Sequence, residues 1–519
     1  MKIISTYSVR LGKGLSVTLN PTLVKYREAV AYFVDVIDNE WPSYSGCKNA
    51  NDSVRITEHL TIETAKNPIP KYNFSVQFYK FPSYLRRSAI AEAFGIVSSY
   101  RSNMDNWLKS DAKTRGRRPA KPTVGDSYPA MYRDNCFVRT GTYTARIKVY
   151  VRNTWDWVDV TLRKTDVDYI LKHCSLSKEC VPTLRKRGKN WSLDFAFEKQ
   201  VPLNQAPVKS RRILSVDLGL NSAATCCVME SDGTVLARRF LSLEREYDCL
   251  YHMLARIKHA QQSGARRMPN LWVKANGINR NISEKTAQFI EETSVLYECD
   301  VVVMENLNLK GKKRGSKRQR LHHWRAKYVE VLVEHKCHMD GNRFATVTPY
   351  KTSRLAFDGS GEVKRGKESE KTNGNYSLCE FQNGKVYNCD LNASYNIGAR
   401  YFIREILGSI SERRRCEVEA KVPSLQKRST CTLSDLKALH LILGGSNGGN
   451  LGDSCAAHVG QAPHDAEAIS HLVELVTYGK TRDSDAPQGQ PPTAAIGSTR
   501  LKSREASHGK AWLFDGNWT

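Results

Sequence analysis

The sequence predicts a multidomain α/β protein organised around a mixed sheet whose strand ends carry acids. Three observations predict it. First, Ile213-Leu214-Ser215-Val216-Asp217-Leu218-Gly219-Leu220-Asn221 is an apolar β-type run that ends on an acid and a glycine. Two further apolar runs follow it, at 223–229 and 234–241, separated by the turn Ser231-Asp232-Gly233. Second, Val301-Val302-Val303-Met304-Glu305-Asn306-Leu307 is another apolar run ending on an acid, and Cys389-Asp390-Leu391-Asn392-Ala393 sets a third acid at the mouth of a predicted helix. Third, the net charge is +26 over 519 residues, far from the balance of an ordinary enzyme. Lysine and arginine in such excess point to a polyanion, and nucleic acid is the first candidate, because these residues displace the counterions condensed on phosphates. A membrane surface is the rival polyanion, but the chain has no long apolar span and no lipidation signal.

The elements follow in order. Tyr7, Val9 and Leu11 alternate with polar neighbours, which predicts a strand near the start. Asn20-Pro21 reads as a helix start with proline at the first helical position, and the helix runs to about Ile37 with Leu23, Val30, Val34 and Ile37 on one face. A second helix is expected over 54–65. A longer one opens at Pro82 and runs to about Trp107, with Ile90, Val97, Met104 and Trp107 at helical spacing. It ends in a basic loop that contains Arg115, Arg117, Arg118 and Lys121. A charge run is ordinarily a solvated loop, and only the charge of the whole chain makes this one a candidate clamp on nucleic acid.

Residues 136–203 read as β-rich. Tyr143, Ala145, Ile147, Val149 and Val151 alternate with Thr144, Arg146, Lys148 and Arg152, and Asn153-Thr154 is the expected turn. A short helix is expected over 166–173. Trp191, Leu193, Phe195 and Phe197 alternate after the basic turn Arg185-Lys186-Arg187-Gly188-Lys189. A strand with one apolar and one cationic face packs a core on one side and offers phosphate contacts on the other. Beyond the three acid-bearing strands, helices are expected over 243–262 and 283–298, with a basic loop between them containing Arg266, Arg267 and Lys274. A basic segment follows Glu305 directly, with Lys310, Lys312, Lys313, Arg314, Lys317, Arg318 and Arg320 as candidate nucleic-acid contacts. An amphipathic helix marked by Trp324, Tyr328, Val331, Leu332 and His335, a strand over 344–347, and helices over 392–407 and 432–443 complete the reading. From 444 to 519 the chain is rich in Gly, Ser, Asn, Ala, Pro and Gln and is expected to be mostly disordered.

The 14 cysteines include no Cys-x-x-Cys pair, so neither a disulfide framework nor a zinc ribbon follows from their spacing. The opening residues lack a signal-peptide pattern, and the expected compartment is the cytoplasm, or a nucleoid or nucleus.

Each acid has an ordinary reading: Asp217 as a turn residue, Glu305 as the partner of the basic run beside it, Asp390 as a helix cap. Together they fit a metal-dependent phosphodiester-cutting site, where several carboxylates hold Mg²⁺. A strand meander, a fourth strand after a helical insert and acids at these ends are the layout of an RNase H-like fold.

The chain resembles the TnpB family of transposon-encoded nucleases and the compact type V CRISPR effectors related to them. The resemblance rests on Val216-Asp217-Leu218-Gly219-Leu220-Asn221, Val303-Met304-Glu305-Asn306-Leu307 and the tryptophan helix. It continues through Val347-Thr348-Pro349-Tyr350-Lys351-Thr352-Ser353 and Asp390-Leu391-Asn392-Ala393-Ser394-Tyr395-Asn396-Ile397. It covers residues 211–404 well and the N-terminal half in outline, where Thr6-Tyr7-Ser8-Val9-Arg10-Leu11 is similar to the family's start.

The resemblance implies a RuvC-like nuclease domain preceded by a β-barrel wedge module with an inserted helical recognition module. The implied division is 1–20 first wedge strand, 21–135 recognition module, 136–203 wedge, 204–212 linker, 213–355 and 389–443 nuclease domain, 356–388 insert and 444–519 tail. It also implies an RNA-guided DNA endonuclease with Asp217, Glu305 and Asp390 as catalytic metal ligands for two Mg²⁺ ions, a guide RNA and a double-stranded DNA target. The segment 310–320 falls where the family has a lid. The family's zinc ribbon is not matched: its first Cys pair is replaced near Ala356 and Gly359, and only Cys379, with Gln382, stands in the second region. Zinc is therefore not expected, and the glycine-rich stretch 359–376 is expected to be a flexible remnant. The oligomeric state is left open, a homodimer included. Two alternatives stand beside this reading: an unguided RNase H-like transposase or resolvase using the same acids, and a non-cleaving guide-RNA-dependent DNA-binding protein.

Overall fold

The computed structural model describes residues 1–444 apart from positions 48, 66, 113, 114, 126, 220, 221 and 308–324. The expected basic lid, Trp324 and the tail after 444 lie outside the described residues. The described chain divides into two compact units, residues 2–199 and the residues from 200 on, the latter with Met1. Among the described residues no helix is long and apolar enough to cross a membrane.

The first unit begins with β1 (Lys2–Arg10), α1 (Ser16–Asn39), α2 (Ala50–Thr61), a one-turn α3 (Phe74–Gln77) and α4 (Ser83–Lys109). The helix α1 starts a turn before the expected Asn20-Pro21, so Pro21 lies inside it. The extra turn is held by packing: Leu19 is fully buried, and the Trp191 indole donates to Ser16 Oγ at 3.1 Å. Tyr26 of α1 shares hydrogen bonds of 2.9 Å with Ser88 and Glu92 of α4. Phe74 stacks on Phe33 and Phe78 at centroid distances of 4.8 and 4.5 Å, and this pins the short α3, which is too brief to show a period.

The rest of this unit is β2 (Phe137–Gly141), β3 (Thr144–Val151), β4 (Thr154–Thr161), α5 (Lys164–His173), β5 (Lys178–Glu179), β6 (Thr183–Arg187) and β7 (Asn190–Gln200). The strands form two sheets where one barrel is expected: β2-β3-β4, and β1-β7-β5 with β6 also on β7. The predicted alternation holds, since Ala145, Ile147 and Val149 are fully buried. The β3–β4 turn is Arg152-Asn153, one residue earlier than expected: Val151 pairs with Thr154, and both turn residues have positive φ, 50° and 62°. That is the backbone a two-residue hairpin needs.

The second unit contains β8 (Arg212–Asp217), β9 (Ala224–Glu230), β10 (Val235–Leu241), α6 (Glu244–Gln262), α7 (Pro269–Leu296), β11 (Val301–Glu305), α8 (Ala326–Met339) and β12 (Arg343–Val347). It closes with β13 (Lys364–Arg365), β14 (Leu378–Glu380), β15 (Val386–Asn388), α9 (Cys389–Ser409), α10 (Glu412–Lys421) and α11 (Leu433–Gly444). The main sheet has the order β10-β9-β8-β11-β12, with β8 antiparallel to β9 and parallel to β11. Strand alternation feeds two cores. Ile213, Met229, Val301 and Val303 face α9 residues such as Ile397 and Phe402. Leu214, Val216, Val302 and Met304 pack with Ile290 of α7 and Val333 of α8. Burial on both faces is why these strands read as unbroken apolar runs. Gly398 permits α9 to lie close to the sheet, since a Cβ there would stand 3.1 Å from Met229 Sδ and Ser215 Oγ.

Two expectations change. α7 starts at Pro269, well before 283, so Lys274 is helical and not part of a loop. Its first half is polar, so no apolar period marked it, but proline at the helix start is favourable there. The stretch 359–376, expected to be flexible, is folded. β13, β14 and β15 form a sheet over a small core of Ala356, Val363, Cys379, Phe381 and Cys389, and the Thr372 hydroxyl donates to Gly366 O and Ser369 O.

Candidate active site

The apolar run of β8 ends on Asp217 and that of the parallel strand β11 ends on Glu305. Val216 and Met304 are partners in register, so the next residues, the two acids, leave the sheet side by side. Asp390 comes from the first turn of α9, which is capped by Asn388: its side-chain oxygen accepts from the Asp390 and Leu391 amides, each at 2.9 Å. A Cβ at Gly219 would stand 2.6 Å from the Ser222 carbonyl oxygen, so the close approach of Ser222 calls for glycine there, and the same position lies 3.7 Å from Asp390 Oδ2. All three carboxylates are half-buried.

The proton affinity of Asp217 registers the other two acids. Burial, followed by the charges of Glu305 and Asp390, pushes the Asp217 carboxyl well above the usual carboxylate range. Burial raises Glu305, against a hydrogen bond from Thr352 and the charge of Arg400. Burial also raises Asp390, and the Arg365 guanidinium opposes it. Arg365 is held over this site by Ser353 Oγ at 3.1 Å and the Tyr376 carbonyl at 3.2 Å. Like charges in a partly desolvated site favour protons or cations as counter-charges.

A second layer fixes the acids. Buried Thr352 donates its hydroxyl to Glu305. Thr352 is itself set by α9: Asn396 Nδ2 donates to the Thr352 carbonyl at 3.0 Å and to Leu355 O at 2.8 Å, and Asn392 Nδ2 donates to Leu355 O at 2.8 Å. One turn further on, Arg400 donates to Thr348 O at 3.0 Å and Tyr350 O at 2.8 Å. Asn392, Asn396 and Arg400 thus form a stripe at four-residue spacing that satisfies the backbone of the 348–357 loop. Sequence reasoning did not single out Thr352, Asn392, Asn396, Arg400 or Arg365 as site residues. The polar stripe along an otherwise apolar helix was the available signal.

Among the described residues no group of three His, Cys, Asp or Glu side chains forms a metal-ligand cluster. The donor type nevertheless suits a hard divalent cation: three carboxylates, each with its proton affinity raised by burial, and the charges of Glu305 and Asp390 act on Asp217. The remaining sequence candidates are dispersed in the first unit. Arg115 lies over the Trp107 ring at 4.9 Å, and Arg117, Arg118 and Lys121 are exposed. Arg146 and Lys148 flank Trp157 at 5.9 and 5.7 Å on the outer face of β3 and β4. Arg185 and Arg187 both pair with Asp194, at 3.0 and 2.6 Å. Lys186 donates to Asn20 Oδ1 at 2.7 Å, and Lys189 is exposed. Lys310, Lys312, Lys313, Arg314, Lys317, Arg318 and Arg320 lie outside the described residues.

The model of the Aq_aa04 family matches residues 5–151. An uncharacterised protein, aq_aa04, from Aquifex aeolicus (strain VF5) is 28% identical over 133 residues, covering 23% of this chain and 74% of that protein. The TnpB-like protein aq_aa05 of the same organism is 27% identical over 240 residues, covering 41% of this chain and 74% of that protein. Among solved structures, a Cas12f1–sgRNA–target DNA complex matches at 14% identity and a TM-score of 0.30, over 76% of this chain and 98% of that one. Alicyclobacillus acidoterrestris C2c1 in complex with single-guide RNA matches at 10% identity and a TM-score of 0.38, over 72% and 67%. The chain is similar to TnpB-like proteins, as its motifs imply.

Proposed function

We propose that this chain is an RNA-guided DNA endonuclease that cuts its target by metal-dependent phosphodiester hydrolysis at one RuvC-like site of an RNase H-like domain. The observation that carries the reading is the convergence of Asp217, Glu305 and Asp390. Two parallel strands and one helix start deliver them, and the raised proton affinity of Asp217 carries the charges of Glu305 and Asp390 among its causes. The sheet order, an antiparallel meander continued by two parallel strands, supports the fold. Similarity to a TnpB-like protein and the net charge of +26 support the guide and the nucleic-acid target.

In this reading Asp217, Glu305 and Asp390 hold divalent cations, with Mg²⁺ the expected ion. When bound, such ions supply nucleophile activation and charge neutralisation for phosphodiester hydrolysis. The chain's own groups do the rest. Thr352 fixes the Glu305 carboxylate, the Asn388 cap fixes the turn bearing Asp390, and Arg365 offers a guanidinium to a phosphate that cations held by the acids would attract. Sequence is read by pairing between guide and target, and a short flanking motif by the protein.

The test is to purify the full chain from cells that carry its flanking DNA, sequence the RNA that accompanies it, and assay cleavage of a matching plasmid with Mg²⁺. A discrete RNA with a constant scaffold and a variable end is expected. Asp217→Ala, Glu305→Ala and Asp390→Ala should each abolish cleavage and leave RNA binding nearly intact. Random cellular RNA, or a variant that still cuts, would overturn the assignment.

A further inference from the structure

Two thiols meet behind Asp390. Cys379 of β14 and Cys389, the first residue of α9, are both fully buried in the small core they form with Ala356, Val363 and Phe381. Strand register brings them there. Leu378 pairs with Asn388 and Cys379 with Tyr387, and the Cys389 amide donates to Ser377 O at 2.9 Å. The two thiols share a hydrogen bond, and Cys379 Sγ also donates to Tyr387 O at 3.4 Å. The Arg365 guanidinium bonds the Cys389 sulfur and acts on the charge of Asp390, so the thiol pair and the third acid share one cation. A hard divalent cation takes oxygen donors, so the metal chemistry of the acids uses neither sulfur. Two sulfurs in contact are instead the reactants of a disulfide.

We propose that Cys379 and Cys389 are a modification site, a dithiol that hydrogen peroxide closes to a disulfide, and that closing it weakens cation binding by Asp217, Glu305 and Asp390. The step balances. The peroxide O–O bond breaks, one oxygen goes to the Cys389 sulfur as a sulfenic acid, and the other leaves as water. The Cys379 sulfur then displaces the sulfenic hydroxyl as a second water, and the S–S bond forms. The two thiols give up two protons and two electrons, and peroxide takes both. Peroxide is small, and the sheet over the thiols is short: β13 has two residues and β14 and β15 three each, so local opening admits it. Forming the bond draws the sulfurs inside their hydrogen-bond separation and ties the start of α9 to β14. Asp390 is the next residue, so its carboxylate moves against the other two acids, and Arg365 loses the thiol that helps to hold it. The effect on cation binding rests on the reading that the three acids hold divalent cations.

The test treats the full chain with graded hydrogen peroxide, blocks remaining thiols, and maps tryptic peptides without reductant. Trypsin cuts after Lys371, Lys385 and Arg400, so Cys379 and Cys389 fall in separate peptides, 372–385 and 386–400, each with no other cysteine. The two should appear joined, and dithiothreitol should release them. Mn²⁺ affinity, read by titration calorimetry, and plasmid cleavage should fall about 10–100-fold on oxidation and return with dithiothreitol. Cys379→Ser cannot close the bond and should keep both after peroxide, and its melting in reductant, matching wild type, will show that it folds. The crosslink map on the wild type decides the pairing whatever the variant does: other cysteines oxidised with these two peptides unjoined would overturn the proposal. A crosslink that leaves Mn²⁺ affinity unchanged, or a loss that Cys379→Ser shares, would overturn it too. A crosslink that lowers Mn²⁺ affinity in a chain that never cuts supports the switch and overturns the nuclease reading. A reduced chain that binds no Mn²⁺ overturns both.

Discussion

Asp217 stands at the end of a strand where two other carboxylates share its space, and its proton affinity reports the cost. Because the folded-state pKa values of Asp217, Glu305 and Asp390 are raised, the folded chain keeps protons that the unfolded chain releases. Metal-free stability therefore falls as pH rises from the ordinary carboxylate range, about 4, through the raised values. Asp217→Asn removes one of the opposing charges while keeping the shape. In chelator it should melt above the wild type at pH 8, by about 2–4 °C for each kcal/mol of relieved repulsion, and its stability should vary less with pH. It should also fail to cut. Melting scans at pH 5, 6.5 and 8 decide the matter, and a variant that melts lower than wild type at pH 8 would mean the acids are not in mutual repulsion. The sequence showed these three residues because each ends an apolar run or opens a helix. It did not show Thr352 or Arg365, since nothing local marks a threonine or arginine that meets an acid only after folding.

The element that assembles the site is α9. Its apolar face lies on β8 and β9, its first turn presents Asp390, and its polar stripe holds the 348–357 loop. The asparagines replace the hydrogen bonds that a buried loop backbone would otherwise make to water. Asn396→Leu keeps the volume and removes the donors, leaving the Thr352 carbonyl without this partner. The expected loss is about 1–3 kcal/mol for each buried group left unpaired. Cleavage should fall further than stability alone explains, because Thr352 is the hydrogen-bond partner of Glu305. Urea unfolding beside a cleavage assay separates the two effects, and a variant with full stability and full activity would remove the stripe from the account. The helix itself was legible from its apolar spacing. The carbonyls it serves were not, because they lie 37 to 52 residues away in sequence.

At the scale of the whole molecule the charge is the dominant fact. With +26 to place, both units must carry cations that the fold does not need, and aromatic rings hold several of them, as Trp107, Tyr128 and Trp157 do. Nucleic-acid binding should depend steeply on salt: six to ten phosphate contacts would cost about 10³–10⁵ in affinity between 50 and 200 mM. A titration with a non-specific duplex measures the slope, and a flat response would make the charge a solvated surface without a ligand.

The sequence by itself determined the succession of strands in the second unit, the placing of three acids at two strand ends and a helix start, and the cationic excess. Hydrophobic period, chain order and net charge are local or additive properties. Only the tertiary structure decided that the stretch after Ala356 is a folded sheet over a small apolar core, that α1 begins before Pro21, and that Arg27, Tyr128 and Lys186 share one cleft. In each of these cases residues distant in the chain supply the partner: an apolar neighbour for Cys379, an indole for Ser16, a second guanidinium for Tyr128. Burial and hydrogen bonding of that kind depend on which surfaces meet, and spacing along the chain does not encode the meeting.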